Sequence, residues 1–233
     1  MVTAPLLELD ARKRLTEVVT GLSIAFAILA AGFFWTEVFE VVSFIVLIAI
    51  AVVCVRIHAV RRGPEAAWFG GTERIWLLIS LGFVFMALDE ALSIHENIDV
   101  LLHRMLAMRE TWLTDRLDDV IILGYGVAGL LILYAHRAEF RGLLDYRRHF
   151  VVGFLFLIAM VALDLLSNRR DFLYATGLER SLVPSVHHVL EVAEELTKLL
   201  AEAAFMLGFL SIYRQFAASR PAGPARQASS STQ

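Results

Sequence analysis

The feature that most constrains this chain is a succession of apolar runs, each near the length a helix needs to cross a bilayer, with most of the charge confined to the loops between them. The runs extend from about Leu15 to Trp35, from Val41 to Val55 with its flanks, from Ile75 to about His95, from Val120 to His136, from Phe150 to Leu166 and from Pro184 to about Tyr213. A hydrocarbon layer of ~30 Å takes about 20 helical residues. Backbone N–H and C=O groups find no water there, so only helices or closed barrels span it. The expected fold class is therefore an all-α integral membrane protein, a bundle of six transmembrane helices over residues 15–213. A polar cytoplasmic lead, residues 1–14, precedes the bundle, and a disordered cytoplasmic tail, residues 214–233, follows it.

Composition agrees. The chain of 233 residues is 58% hydrophobic, against roughly 45–50% in soluble domains, and its mean hydropathy is +0.66. The first run could be taken for a signal peptide, but no clear cleavage site separates it from the next run, so it reads as the first span. A formal net charge of −3 gives no field toward nucleic acid, which is not an expected partner. The single cysteine, Cys54, lies inside an apolar run and excludes an intramolecular disulfide, a cysteine zinc site and an iron–sulfur cluster.

Orientation follows from the basic residues. Fourteen of the 21 Lys and Arg fall in the lead, the 56–74 loop, the 137–148 loop and the tail, and six fall in the alternate loops, with Lys198 inside the last run. Both termini are thus expected in the cytoplasm. Between the third and fourth spans, residues 95–118 alternate charged and apolar side chains with a helical period, placing Ile98, Leu101, Leu102, Met105, Met108 and Trp112 on one stripe. That pattern predicts an amphipathic helix on the membrane surface. The tryptophans Trp35, Trp68, Trp76 and Trp112 fall near expected interfaces, as in an aromatic belt.

Charge inside such runs points to function. Asp89, Glu90, His95 and Glu96 close the third run, whose only polar side chain from Ile75 to Leu88 is Ser80. An ionisable group at that depth needs a partner, a cation or a proton. On the last run His188, Glu191, Glu195, Lys198 and Glu202 follow helical spacing along one stripe, with His187 and Glu194 beside it. The topology brings Asp118, Asp119 and Asp164 to the same outer level. Imidazoles with carboxylates suit zinc, iron or manganese. Asp89, His95, His188 and Glu191 are the candidate ligands of a divalent metal such as zinc, and Glu96 and Glu195 the candidate general bases. The bland alternative is that the acids pair internally, for example with Lys198.

The string Asp89-Glu90-x4-His95-Glu96 on the third span, with Glu194-Glu195 on the last, resembles bacterial multipass membrane proteins that share an acidic D-E-x4-H-E helix. The resemblance implies a bacterial inner membrane and brings no activity with it. A looser analogy is to alkaline ceramidase-like membrane hydrolases, for which Asp89, Ser93, His95 and His188 are the right residue types, although the late His-x3-His pair of those enzymes is absent. Three functions are compatible with the sequence. The leading one is a metal-dependent membrane enzyme, a hydrolase acting on a lipid or lipid-linked substrate that enters from the bilayer. The alternative is a proton- or cation-coupled transporter using Asp89, Glu191, Glu195 and Glu202. The third is a non-catalytic membrane scaffold. Oligomeric state is not readable from the sequence.

Overall fold

The structure is a computed structural model that describes residues 37–62, 71–105, 117–167 and 179–219. All regular structure among these residues is helical. Helix α1 spans Glu37–Arg61 and α2 spans Ile75–Leu92 after a 3-10 turn at Thr72–Arg74. Helix α3 spans Ile94–Met105, α4 Leu117–Ala135 and the short α5 Arg137–Phe140. A 3-10 segment at Arg141–Tyr146 leads into α6, Arg147–Ser167, and α7 spans Val183–Ala218.

The helical state is imposed by the solvent more than by propensity. Nine of the fifteen residues from Val41 to Val55 are Val or Ile, types that favour strands in water. In lipid an unpaired strand edge would leave its backbone unsatisfied, and the helix wins. Among the described residues four helices are long and apolar enough to cross a membrane, at Glu37–Arg61, Thr72–Leu92, Arg147–Leu166 and Val183–Ala218. The protein is thus a multi-helix membrane protein. The first expected span, 15–35, lies outside the described residues, as do both termini. The fourth expected span, 120–136, corresponds to α4, which carries Asp118 and Asp119 in its first turn; among the described residues its apolar stretch is Leu123–Ala135. Helix α7, with 36 residues, rises about 54 Å and exceeds the hydrocarbon thickness.

Two compact units divide the chain, one of residues 1–42 and 157–199 and the other of residues 43–156 and 200–233. The core of the second unit is built from Ile50, Cys54 and Ile57 of α1, Ile75 and Trp76 of α2, Leu143, and Phe209 and Ile212 of α7. Ser80 ties α2 to α1 by donating to the Ala51 carbonyl at 2.9 Å. Helices α6 and α7 approach closely over two glycines: a Cβ on Gly153 would stand 2.6 Å from the Phe205 ring, and one on Gly208 would stand 2.9 Å from Phe150. Small residues of this kind let backbones pack where no hydrophobic force drives helices together.

Trp76 departs from the belt reading. It is fully buried, ringed edge-on by Phe140, Phe209 and Phe216 at 5.5, 6.4 and 6.5 Å. Its indole N–H donates to Glu139 at 3.2 Å, and that satisfied donor is what lets an interfacial residue type sit inside. Glu139, with only 3% of its side chain exposed, also accepts from Arg61 at 2.9 Å and from Thr72 at 3.1 Å. In the first unit, Val183 and Val192 of α7 are buried, and Pro184 sits in the first turn of α7, where its missing N–H costs little.

Candidate functional site

The third apolar run does not continue as one helix to His95. Helix α2 stops at Leu92, and Ser93 takes a left-handed conformation, φ 45° and ψ 50°, the one positive-φ non-glycine residue among those described. Such a break exposes carbonyls of the ending helix and N–H groups of the starting one. Side chains of the motif answer both. Asn97 donates its amide to the Leu92 and Ser93 carbonyls, each at 2.9 Å. Asp89 accepts the backbone N–H of His95 on Oδ1 at 2.9 Å.

The second oxygen of Asp89 carries the chemistry. Its Oδ2 lies 2.8 Å from His95 Nδ1, with both side chains half-buried at 14% and 21% exposure. An ionised carboxylate only accepts, so a neutral His95 must hold its proton on Nδ1 and carry the lone pair on Nε2. A carboxylate fixing the tautomer and direction of an imidazole is the arrangement that supports both general bases and metal-binding histidines. Tyr125 of α4 also belongs to this neighbourhood: its ring meets Phe85 of α2 edge-on at 4.9 Å. Glu90 is half-buried and partnered. Glu96 lies in α3, but its side chain, like those of Asp99, Asp118 and Asp119, is outside the described set.

A family model described as a domain of unknown function, DUF8692, matches residues 3–213. The chain belongs to the DUF8692 family. No curated protein matches it, and no solved structure does. The match covers both the D-E-x4-H-E stretch and the α7 stripe, so the two candidate clusters are parts of one DUF8692 domain.

In the first unit α7 presents the other cluster. Glu191 lies between two histidines, with Oε1 3.5 Å from His187 Nδ1 and Oε2 3.7 Å from His188 Nδ1. Those separations are long for hydrogen bonds. One turn further, Lys198 Nζ is 2.7 Å from Glu195 Oε2, an i, i+3 pair less than a fifth exposed. Glu194 and Asp164 are partnered. Among the described residues no group of three or more His, Cys, Asp or Glu is arranged to hold a metal ion.

The sequence reading passed over two residues. Glu139 looked like one acid among the arginines of a loop, and nothing local marks it as the acceptor for Arg61, Thr72 and Trp76. Ser43 is fully buried and donates to Glu202 Oε1 at 2.6 Å, across 159 residues of sequence. A lone hydroxyl in an all-aliphatic run was the available clue.

Proposed function

We propose that the chain is a membrane-embedded hydrolase, acting on a lipid or lipid-linked substrate, in which His95 is the working imidazole and Asp89 is its positioning residue. The observation that carries the reading is the 2.8 Å contact of Asp89 Oδ2 with His95 Nδ1 beside a helix break. A bilayer-level imidazole with a fixed tautomer can accept a proton from water or a substrate hydroxyl. Exposed Leu88 and Leu92 on the flank of α2 suit approach by an acyl chain. In the metal-dependent form of this reading, His95 in the second unit and His188 with Glu191 in the first are the candidate ligands, and Glu96 and Glu195 are the candidate general bases. A zinc-type ion would supply a water with its pKa lowered to about 7. Asp89, which spends both oxygens on His95, then orients a ligand and does not need to be one. Metal analysis of purified protein tests this form: a stoichiometric transition metal that disappears in His95→Ala and His188→Ala is expected. Absence of metal from the intact protein would overturn it.

A second reading is supported by the Ser43–Glu202 hydrogen bond. Glu202 is only 6% exposed, within a helix long and apolar enough to span the bilayer, and intramembrane carboxyls of this kind line ion and proton paths. Proton or cation flux in proteoliposomes, lost in Glu202→Gln and retained in His95→Ala, would establish transport in place of hydrolysis.

A further inference from the structure

We propose that the arginine-bearing end of the second unit is a docking surface for anionic phospholipid headgroups, a property independent of what the Asp89–His95 pair does. The first observation is convergence. Arg61 near the end of α1 reaches Glu139 at 2.8 Å, Trp76 at the start of α2 donates to the same carboxylate, and Trp76 meets both Phe140 and Phe216. These contacts gather the end of α1, the start of α2, the α4–α6 connection and the end of α7 at one end of the unit.

The second observation is charge. The segments 61–74 and 137–148 with Arg214 carry eight arginines, Arg61, Arg62, Arg74, Arg137, Arg141, Arg147, Arg148 and Arg214, against Glu65, Glu73, Glu139 and Asp145. The one buried acid of known placement, Glu139, is already spent on Arg61, whose guanidinium also stacks on Phe216 at 4.7 Å. Arg137 is folded back along the surface, over the exposed Tyr134 ring at 4.5 Å and onto the Tyr134 carbonyl at 3.2 Å. Arg74, Arg141, Arg147, Arg148 and Arg214 are exposed and make no ion pair with a carboxylate among the described residues.

The third observation is position. Directly beyond Arg147 and Arg148, α6 exposes Val151, Val152 and Leu155, and beyond Arg74, α2 exposes Leu78 and Leu81. These exposed guanidinium groups therefore stand where an apolar flank gives way to polar surroundings, the level of lipid phosphates. No lysine contributes, and the planar guanidinium fork matches phosphate oxygens in pairs. A lipid satisfies both features at once, with its phosphate on the arginines and its acyl chains on the valine and leucine flank. A soluble phosphate would use only the first.

The full-length protein in neutral detergent tests this by thermal unfolding during titration with dioctanoyl phosphatidylglycerol, dioctanoyl phosphatidylcholine or inorganic phosphate. Phosphatidylglycerol is expected to raise the midpoint saturably, with the rise reduced by high salt, while the other two leave it unchanged. In Arg147→Gln/Arg148→Gln the apparent affinity for phosphatidylglycerol is expected to fall roughly fivefold for each arginine removed, at an unaltered midpoint without lipid. If that midpoint drops, Arg141→Gln/Arg214→Gln takes the same test. Equal shifts from phosphatidylcholine, equal shifts from inorganic phosphate, or full retention of affinity in the variants would each overturn the proposal.

Discussion

Asp89 illustrates how one carboxylate can serve backbone and side chain together. Its Oδ1 holds the first turn of α3 and its Oδ2 holds the His95 ring, so a substitution separates two consequences. In Asp89→Asn the amide oxygen can still accept one N–H, but the amide nitrogen cannot accept the other, and the Nδ1–H tautomer of His95 loses its support. Ring ¹⁵N shifts of labelled histidine are expected to show His95 moving to the other tautomer or to a mixture, with the helices retained by circular dichroism; on the proposed hydrolase reading, activity falls at least tenfold. Glu139 is the opposite case, a carboxylate with structural work only. Glu139→Gln weakens the bonds from Arg61, Thr72 and Trp76, and a loss of about 1.5–3 kcal/mol is expected in reversible unfolding in detergent. Because Arg61 is 38% exposed, its own truncation should cost less, and a double-mutant cycle between Arg61 and Glu139 reads the coupling. In Ser43→Ala the Oε1 hydrogen bond of Glu202 is lost from a fully buried site, with about 1–3 kcal/mol of stability expected to go with it. Residue identity made Asp89 and His95 conspicuous in the sequence, since ionisable groups at the end of an apolar run stand out. Their direct contact was not legible, because it depends on a backbone turn five residues long that no glycine or proline announces.

At the level of elements, that turn is the main difference between pattern and structure. The third run reads as one span from Ile75 to about His95, yet α2 ends at Leu92 because Ser93 adopts a left-handed conformation stabilised by Asp89 and Asn97 from either side. A serine there carries a conformational cost that glycine does not. Ser93→Gly is expected to raise the unfolding free energy by about 0.5–1 kcal/mol if the break is the native conformation, and to lower it if the run is a continuous helix. The same denaturant titration distinguishes the two. Of the amphipathic helix expected over 95–118, α3 supplies a helix at Ile94–Met105, and residues 106–116 lie outside the described residues. Trp76 was misread as belt because a sequence shows a tryptophan's distance from a span end and not the partner of its N–H.

For the molecule as a whole, the apolar runs announced an all-helical membrane protein well, because a succession of apolar runs near the spanning length has few other fates. Their number is less directly given. Among the described residues four helices meet the length and apolarity of a span, and α4, where the fourth span was expected, has its apolar stretch described over Leu123–Ala135. The basic-residue bias leads to the expectation that both termini face the cytoplasm. Reporters fused after Gln233 are expected to be active when they require the cytoplasm and silent when they require the opposite side, and the reverse pattern would refute the orientation. The two polar clusters differ in how far the sequence reached them: helical spacing alone put His188 beside Glu191, whereas the pairing of Ser43 with Glu202 spans most of the chain and needed the fold.

The paired glycines of α6 and α7 have a consequence for how this family can vary. Phe205 sits over Gly153 and Phe150 over Gly208, so each helix carries one knob and one notch, and the two contacts together set the axial register of the pair. Inserting a single residue between Phe205 and Gly208 rotates everything beyond it by about 100° and separates knob from notch. Length changes in this chain should therefore be tolerated in the loops and at the far ends of α7, while the four-residue interval from Phe205 to Gly208 behaves as a fixed ruler.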